Sequence, residues 1–294
     1  MDCIVLGGLV ADRYFDIESF PERGQDGLIT SETAYVGGCA INIAATINNL
    51  GGNAHIVSYI GNDKTGEQIM NYIRKNKFAE DFIKQTEGIS GYCLVFKEPD
   101  GERTFLTKKG VEGNFDTGLL DNIDNIRAKV GAVTGYYLLN ENASLIMDCI
   151  EVMRVSGTKF IFDPGPLVGS IDKEILKRMV KASAVITPNE AELAVFEQED
   201  KNFIENFIKN KGIVVRKQGN RGGMCYTRHG IFNYNSVKTE AVDTTGAGDS
   251  FTGALCYSLG SGTDIKSSVE LASVCAAKTV ETNAPHGFWK IKED

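Results

Sequence analysis

The chain has 294 residues, enough to bury a sizeable core in one large α/β domain with an appendage or in two smaller domains. Its net charge of -8 argues against binding to nucleic acids or anionic membranes, because both need a basic face. Residues 33–62 lack Asp, Glu, Lys and Arg. Glycines and asparagines interrupt that stretch well before the roughly 20 apolar residues of a membrane span.

The cysteines and histidines point to a reducing compartment and to no zinc site. The 7 cysteines are scattered and never spaced as CxxC, which is typical of reduced thiols in a cytosolic protein. The 3 histidines are far apart in sequence, so they do not form a zinc motif. With no signal-peptide pattern evident, we expect a cytoplasmic protein without nucleic-acid or membrane partners.

Short apolar strands and helical segments alternate along most of the chain. Strands are predicted at 3–6, 54–60, 132–139, 159–162, 184–187 and 213–216. Helices are predicted at 40–50, 65–75, 143–155, 172–181, from residue 190 onward, and at 250–259. This alternation predicts an α/β fold with a mostly parallel sheet covered by helices on both faces.

Two stretches break the alternation. Residues 12–36 contain no convincing helix, and residues 90–107 are typical of a hairpin with a Pro-Asp-Gly turn at 99–101. We interpret them as one small β-sheet lid built from two insertions, although two unrelated surface loops are the alternative. The core is then formed by residues 1–11, 37–89 and 108–294.

The segment DTTGAGDSF at 243–251 carries the clearest chemical signal. Gly246 and Gly248 permit a tight turn directly before a predicted helix. The free N–H groups and the dipole at a helix N-terminus favour an anion. Asp249 then lies where a base could act beside a phosphoryl group. The alternative is an ordinary turn followed by a first-turn carboxylate.

As a whole, this segment resembles the C-terminal signature of the PfkB (ribokinase-like) carbohydrate kinase family. Three further segments resemble family motifs in the family's order: GGCAIN at 37–42, IGNDKTG at 60–66 and NEAE at 189–192. The resemblance covers the full chain. It implies a ribokinase-like three-layer α/β/α domain with a small β-sheet lid. It also implies ATP-dependent, Mg²⁺-assisted phosphorylation of a sugar hydroxyl.

The resemblance assigns roles residue by residue. Asp249 is the expected base that accepts the proton of the attacking hydroxyl. The N–H groups of Gly246, Ala247 and Gly248 are the expected anion hole. Asn189 and Glu192 are expected to organise Mg²⁺, largely through water. From the residues alone, Asn189 is equally suited to cap a helix.

The resemblance also implies which residues bind the substrate, the nucleotide and a second cation. The expected sugar-binding residues are Asp12, Gly38 and Asn42, with Arg103 of the lid as a further candidate. The expected nucleotide-binding residues are Asn189, Lys217, Gly219, Gly222, Thr245, Gly248 and Asn283. Asp243 corresponds to a position near which some members hold a monovalent cation such as K⁺. Since lids in this family commonly pair between subunits, a homodimer through the lid is also expected.

Several alternatives bear on the substrate and the activity. Ribokinase itself has a lysine and a glycine where this chain has Cys39 and Ala40, so ribose is not a safe assignment. A nucleoside kinase of the same family would need lid aromatics, for which Phe15, Tyr35 and Tyr92 are candidates. A non-catalytic sugar- or nucleotide-binding protein is the third option. The chain lacks the P-loop, protein-kinase and GxGxxG motifs.

Overall fold

A computed structural model describes residues 1–121 and 128–282. Its strands, in chain order, are β1 (Asp2–Leu6), β2 (Val10–Ile17), β3 (Ile29–Gly37), β4 (Asn53–Gly61), β5 (Ile83–Thr86), β6 (Tyr92–Lys97), β7 (Arg103–Lys108), β8 (Val130–Thr134), β9 (Lys159–Asp163), β10 (Ser183–Ile186), β11 (Ile213–Lys217), β12 (Gly223–Thr227) and β13 (Gly230–Tyr234). Its α-helices are α1 (Cys39–Asn49), α2 (Lys64–Lys75), α3 (Ala143–Val155), α4 (Lys173–Ala182), α5 (Glu190–Glu199), α6 (Phe203–Lys209), α7 (Ala247–Gly260) and α8 (Ile265–Val280).

Nine strands form the large sheet in the order β13-β12-β11-β10-β9-β8-β1-β4-β5. The pairs from β5 through β11 are parallel, and β12 and β13 add an antiparallel edge. Alternate residues of β1 enter two different hydrophobic clusters, because successive side chains of a strand point to opposite faces. The central strands are therefore apolar throughout, as a sheet covered on both sides requires.

Helices cover both faces of this sheet. Helices α1, α2, α7 and α8 contribute their buried side chains to one cluster, and α3, α4, α5 and α6 contribute theirs to the other. Local signals begin several of these helices: the side chains of Asp63, Asp172 and Asp264 accept backbone N–H groups at the starts of α2, α4 and α8. The predicted three-layer α/β/α arrangement is confirmed.

A second, smaller sheet has the order β3-β2-β6-β7. Its β2–β3 and β6–β7 pairs are antiparallel and its β2–β6 pair is parallel. Asp12 lies directly opposite Tyr35 and Cys93, so these three side chains share one face. Phe15 belongs to the other face, where its ring stacks on Phe96 at 5.5 Å. The predicted small β-sheet is thus present.

The strand predicted at 132–139 is shorter in the structure. Strand β8 ends at Thr134, and residues Gly135–Leu139 form a 3-10 turn. A Cβ atom on Gly135 would lie 1.8 Å from the Pro164 carbonyl oxygen, so the close approach of the chain after β9 requires glycine. The apolar run continues past the strand because the turn packs Tyr137 and Leu138 into the core. Strand β5 and the β12–β13 hairpin were not predicted.

Candidate active site

The start of α7 forms the centre of the candidate site. Gly246 has φ 78°, a left-handed conformation that favours glycine, and the helix begins at the next residue. The first N–H groups of a helix have no acceptor one turn earlier, and the helix dipole makes this end positive. Ala247, Gly248 and Asp249 occupy that first turn. The predicted anion hole and the predicted base therefore lie at one helix N-terminus.

Asp249 is held by a residue from the other signature segment. Its Oδ2 accepts a hydrogen bond from Asn42 Nδ2 at 2.8 Å, across 207 positions of sequence. Burial raises the pKa of Asp249 to about 7, and the carboxylate of Asp163 adds to the rise. The hydrogen bonds from Asn42 and the Cys39 thiol, and the charge of Lys217, act in the opposite direction. A carboxylate with this pKa can accept a proton near neutral pH.

The two glycines before α1 bring Asp12 into the same pocket. A Cβ atom on Gly37 would lie 2.0 Å from Asp12 Oδ2, and one on Gly38, where φ is 97°, would lie 2.5 Å from the Gly8 carbonyl oxygen. Both positions therefore require glycine. Burial raises the pKa of Asp12 to about 6, and a hydrogen bond from the Gly38 backbone opposes the rise.

Tyr136 is a pocket residue that the motifs did not identify. Burial raises the pKa of its hydroxyl to about 12, and the groups that add to the rise include Cys39, Asp249 and Cys93. The residue is 42% exposed, so it lies at the surface beside these groups and not in the core. Its position directly after β8, at the carboxyl edge of a parallel sheet, was a signal that could have identified it.

A cavity of about 550 Å³ lies on the other side of the anion hole. Its lining includes five of the predicted residues, namely Lys217, Gly219, Gly222, Ala247 and Gly248. Apolar side chains from β13, α7 and α8 also line this cavity, namely Tyr234, Phe251, Ala276, Ala277 and Val280. Glycines at a helix N-terminus together with apolar side chains suit a nucleotide. A larger cavity, between α4 and α6, contains none of the predicted residues.

Lys217 is fixed at this cavity by Asp163, which the sequence analysis missed. Its Nζ donates to both carboxylate oxygens of Asp163 at 3.1 Å, and Thr252 Oγ1 donates to the same carboxylate at 2.9 Å. Burial alone would lower the pKa of Lys217, but the carboxylates of Asp163 and Glu192 outweigh it and raise that pKa. Asp163 ends β9, so its place at the carboxyl edge of the sheet was the available signal.

Asn189 and Glu192 form a capping box at the start of α5. The Asn189 side chain accepts from the Glu192 N–H at 2.9 Å, and the two Glu192 oxygens accept from the Asn189 N–H at 2.9 Å and its Nδ2 at 2.8 Å. The helix-cap interpretation is confirmed. Burial raises the pKa of Glu192, with Lys217 opposing the rise.

The same pair also suits a hydrated cation. Each Glu192 oxygen accepts one hydrogen bond from Asn189, which leaves lone pairs for water. Within residues 1–121 and 128–282, no group of three or more His, Cys, Asp or Glu side chains could hold a metal ion directly. The chemistry of this pair therefore fits Mg²⁺ held through water.

Arg103 and Asp243 contact each other. Arg103 Nη1 lies 2.7 Å from Asp243 Oδ1 and 3.2 Å from Thr245 Oγ1. The Asp243 carboxylate also accepts from the Thr245 N–H at 2.7 Å. Because the Arg103 guanidinium and the Thr245 N–H both contact Oδ1, this oxygen does not fit the predicted monovalent cation at Asp243. Arg103 as a substrate contact stays a prediction, and Asn283 lies outside the described residues.

The sequence pattern of the "pfkB family carbohydrate kinase" group matches residues 2–288. The chain belongs to the pfkB family. This pfkB kinase is 29% identical over 287 residues to the uncharacterized sugar kinase YegV of Escherichia coli, covering 94% of this chain and 88% of that protein. It is 24% identical to the ribokinase of Schizosaccharomyces pombe, covering 96% and 92% of the two chains.

The fold of this pfkB kinase is shared with a solved structure. The nucleoside kinase of Methanocaldococcus jannaschii superposes with a TM-score of 0.84 at 19% identity, covering 99% of this chain and 95% of that one. In the described part of the pfkB kinase, no helix has the length and apolar character needed to cross a membrane.

Proposed function

We propose that this pfkB kinase transfers the γ-phosphate of ATP to a hydroxyl group of a sugar or sugar-like small molecule. The observation that supports this most directly is the placement of Asp249. Its carboxylate bonds to Asn42 on the substrate side, while the neighbouring Gly248 lines the nucleotide cavity on the other. A proton acceptor between an acceptor pocket and a nucleotide cavity is what phosphoryl transfer requires.

In the proposed reaction, Asp249 takes the proton of the attacking hydroxyl as that oxygen bonds to the γ-phosphorus, while the bond from the γ-phosphorus to the β–γ bridging oxygen breaks and ADP leaves. The N–H groups at the start of α7 stabilise the charge on the transferred phosphoryl group. Lys217, oriented by Asp163, adds a fixed positive charge on the nucleotide side. When bound through Asn189 and Glu192, Mg²⁺ would neutralise charge on the phosphates.

The sugar assignment is favoured by the polar groups of the acceptor pocket. Asp12 and Asn42 can accept and donate hydrogen bonds to neighbouring hydroxyls. Phe15, named above as a stacking candidate for a nucleoside, packs on Phe96 on the face opposite to Asp12. Tyr92 lies beneath Arg13, with 5.4 Å between the guanidinium carbon and the ring centroid. Neither ring is therefore available to a base at the pocket.

A nucleoside acceptor is the second candidate. Tyr35 shares the face of Asp12, and its ring packs edge-on against Tyr14 with 5.6 Å between centroids. These two rings could contact a base. The M. jannaschii relative in fold is itself called a nucleoside kinase.

ADP release from Mg-ATP should be measured against pentoses, hexoses, sugar acids, sugar phosphates and nucleosides, with Asp249→Asn in parallel. We expect turnover on a sugar that is lost in the variant. Turnover on nucleosides alone would replace the sugar assignment. ATP binding without turnover on any member of the panel would favour the non-catalytic alternative.

We further propose that residues 12–36 and 90–107 act as a lid over the core and pair with those of a second copy. Large apolar side chains of this region are exposed, namely Phe20, Leu28, Ile29, Phe105 and Leu106. Burying these side chains between two copies would remove apolar surface from water. Sedimentation at micromolar concentration should show a dimer, and a monomer there would contradict this proposal. The free cysteines suit a cytoplasmic location.

A further inference from the structure

Asp243 lies in the loop that leads into the anion hole, and its carboxylate requires a counter-charge. Its side chain is 7% exposed, so solvent screens it little. Arg103, 140 positions earlier in the chain, supplies a guanidinium 2.7 Å from Oδ1. The partner of this core carboxylate therefore comes from the small sheet.

The guanidinium bridges two residues of the loop. Nη1 also lies within 3.2 Å of Thr245 Oγ1, and the Thr245 N–H donates to the same Asp243 oxygen. The Arg103 side chain is only 12% exposed. Three hydrogen bonds thus fix residues 243–245: Arg103 to Asp243, Arg103 to Thr245, and the Thr245 N–H to Asp243. Gly246 follows and leads the chain into α7. Moving the small sheet away from the core would break this contact.

We propose that Arg103 takes the place of a monovalent cation at Asp243, so that docking of the lid, and not ion binding, completes the charge balance of the anion-hole loop. The proposal rests on the proposed function only in assigning that loop to phosphoryl transfer. A cation within contact distance of Oδ1 would lie beside the guanidinium, and two like charges at that distance repel. Arginine suits this place because its planar guanidinium bonds to carboxylate and hydroxyl oxygens with a fixed geometry.

Arg103 is in this view a positioning residue. It bonds to the loop and leaves proton transfer to Asp249. While the lid is down, this contact orders the loop that leads to the N–H groups at the start of α7. When the lid is open, Asp243 lacks its charge partner and residues 243–245 are no longer held by Arg103. Because the anion hole is then not ordered, transfer of the phosphoryl group to water is disfavoured.

The first test needs no substrate. Tm is measured for the wild type, Arg103→Gln, the double variant Arg103→Gln/Asp243→Asn and the control Arg74→Gln, in choline chloride and in KCl at equal ionic strength. Arg74 is suitable because it pairs with Glu80 at an exposed site. We expect the wild type and the control to melt alike in both salts. Arg103→Gln should lose at least about 5 °C in choline and regain part of it in K⁺. The double variant should not respond to K⁺.

The second test uses the substrate that the panel identifies. The wild-type kcat should be unchanged when K⁺ replaces choline, and kcat of Arg103→Gln should fall at least tenfold and rise with K⁺. A wild-type Tm or kcat that increases saturably with K⁺ would overturn the proposal. So would an Arg103→Gln variant that equals the wild type in both salts. If that variant does not fold, the wild-type titrations still decide. Because Tm requires no turnover, a failure of the kinase assignment remains distinguishable from a failure of this inference.

Discussion

Two buried ion pairs flank the anion hole, and they differ in how they are built. Lys217 and Asp163 end the core strands β11 and β9, which lie on either side of β10, so the large sheet itself holds them together. Arg103 and Asp243 instead join the small sheet to the core. The first pair is fixed by the sheet on which it lies. The second exists only while the two sheets are in contact.

This difference separates two tasks that a phosphoryl-transfer site must perform. The Asp163 carboxylate keeps a constant charge arrangement, since Lys217 and Thr252 both donate to it within the core. The loop before α7 receives its charge partner, Arg103, from the small sheet. Substitutions of Lys217 or Asp163 should therefore affect stability and rate together, whereas those of Arg103 should also change the response to cations.

The largest effect is expected at Asp249, which lies between the two pairs. Asp249→Asn removes the proton acceptor and keeps the shape, so kcat should fall by about a thousandfold with little change in Tm. The control is Asp264→Asn, because Asp264 caps α8 and asparagine is also a good cap. Steady-state kinetics on the identified substrate are the measurement. Retention of more than a tenth of the activity would remove Asp249 from the role of base.

The next effect concerns the pair fixed by the sheet. Lys217→Met leaves the Asp163 carboxylate buried without its partner, so it should lower kcat roughly a hundredfold and stability by about 3 kcal/mol. The double variant Lys217→Met/Asp163→Asn should recover much of the stability and none of the activity. Lys177→Met, at an exposed lysine, is the control. Chemical denaturation and kcat separate the two effects, and a double variant that regains activity would contradict the role given to Lys217.

A smaller effect is expected at Gly248. A Cβ atom there would lie 3.6 Å from Lys217 Nζ and 3.9 Å from Asp163 Oδ2, which are ordinary contacts. Gly248→Ala should therefore keep Tm but narrow the space at the anion hole and lower kcat about tenfold. Gly51→Ala is the contrasting control, since φ is 86° with no atom within 4 Å of the added Cβ. It should cost about 1 kcal/mol of stability and leave kcat unchanged. An unchanged kcat in Gly248→Ala would show that no phosphoryl group approaches this residue.

The smallest effect is a change in pH dependence. Because the pKa of Asp249 is raised to about 7 and the base must be ionised, kcat should rise with pH through that region. The Asn42 hydrogen bond lowers this pKa, so Asn42→Ala should move the rise in kcat to higher pH. The ratio of kcat at pH 6 to kcat at pH 8 should then be roughly threefold lower than in the wild type. Saturating substrate separates this effect from weaker binding. The control is Asn206→Ala, which removes the hydrogen bond from Asn206 on α6 to Asp200. Identical pH profiles of kcat for the wild type, Asn42→Ala and Asn206→Ala would rule out the assignment of the inflection to Asp249.

The sequence by itself determined the fold class and predicted the centre of the candidate site. Both depend on local patterns: the alternation of strands and helices, and the glycine-rich segments that begin α1 and α7. It also predicted Asn189 and Glu192 as a pair on one helix face, and they bond to each other because a capping side chain and a Glu three residues later form a local capping box.

Only the tertiary structure decided the charge partners. Nothing local distinguishes Asp163 or Tyr136 from other residues after a strand, and their roles arise because parallel strands end at one edge of the sheet. Likewise, no local pattern near Asp243 showed that Arg103 of the small sheet would contact it. Local bonding is encoded within a few residues, whereas the counter-charge of a buried carboxylate depends on which distant segment the fold brings against it.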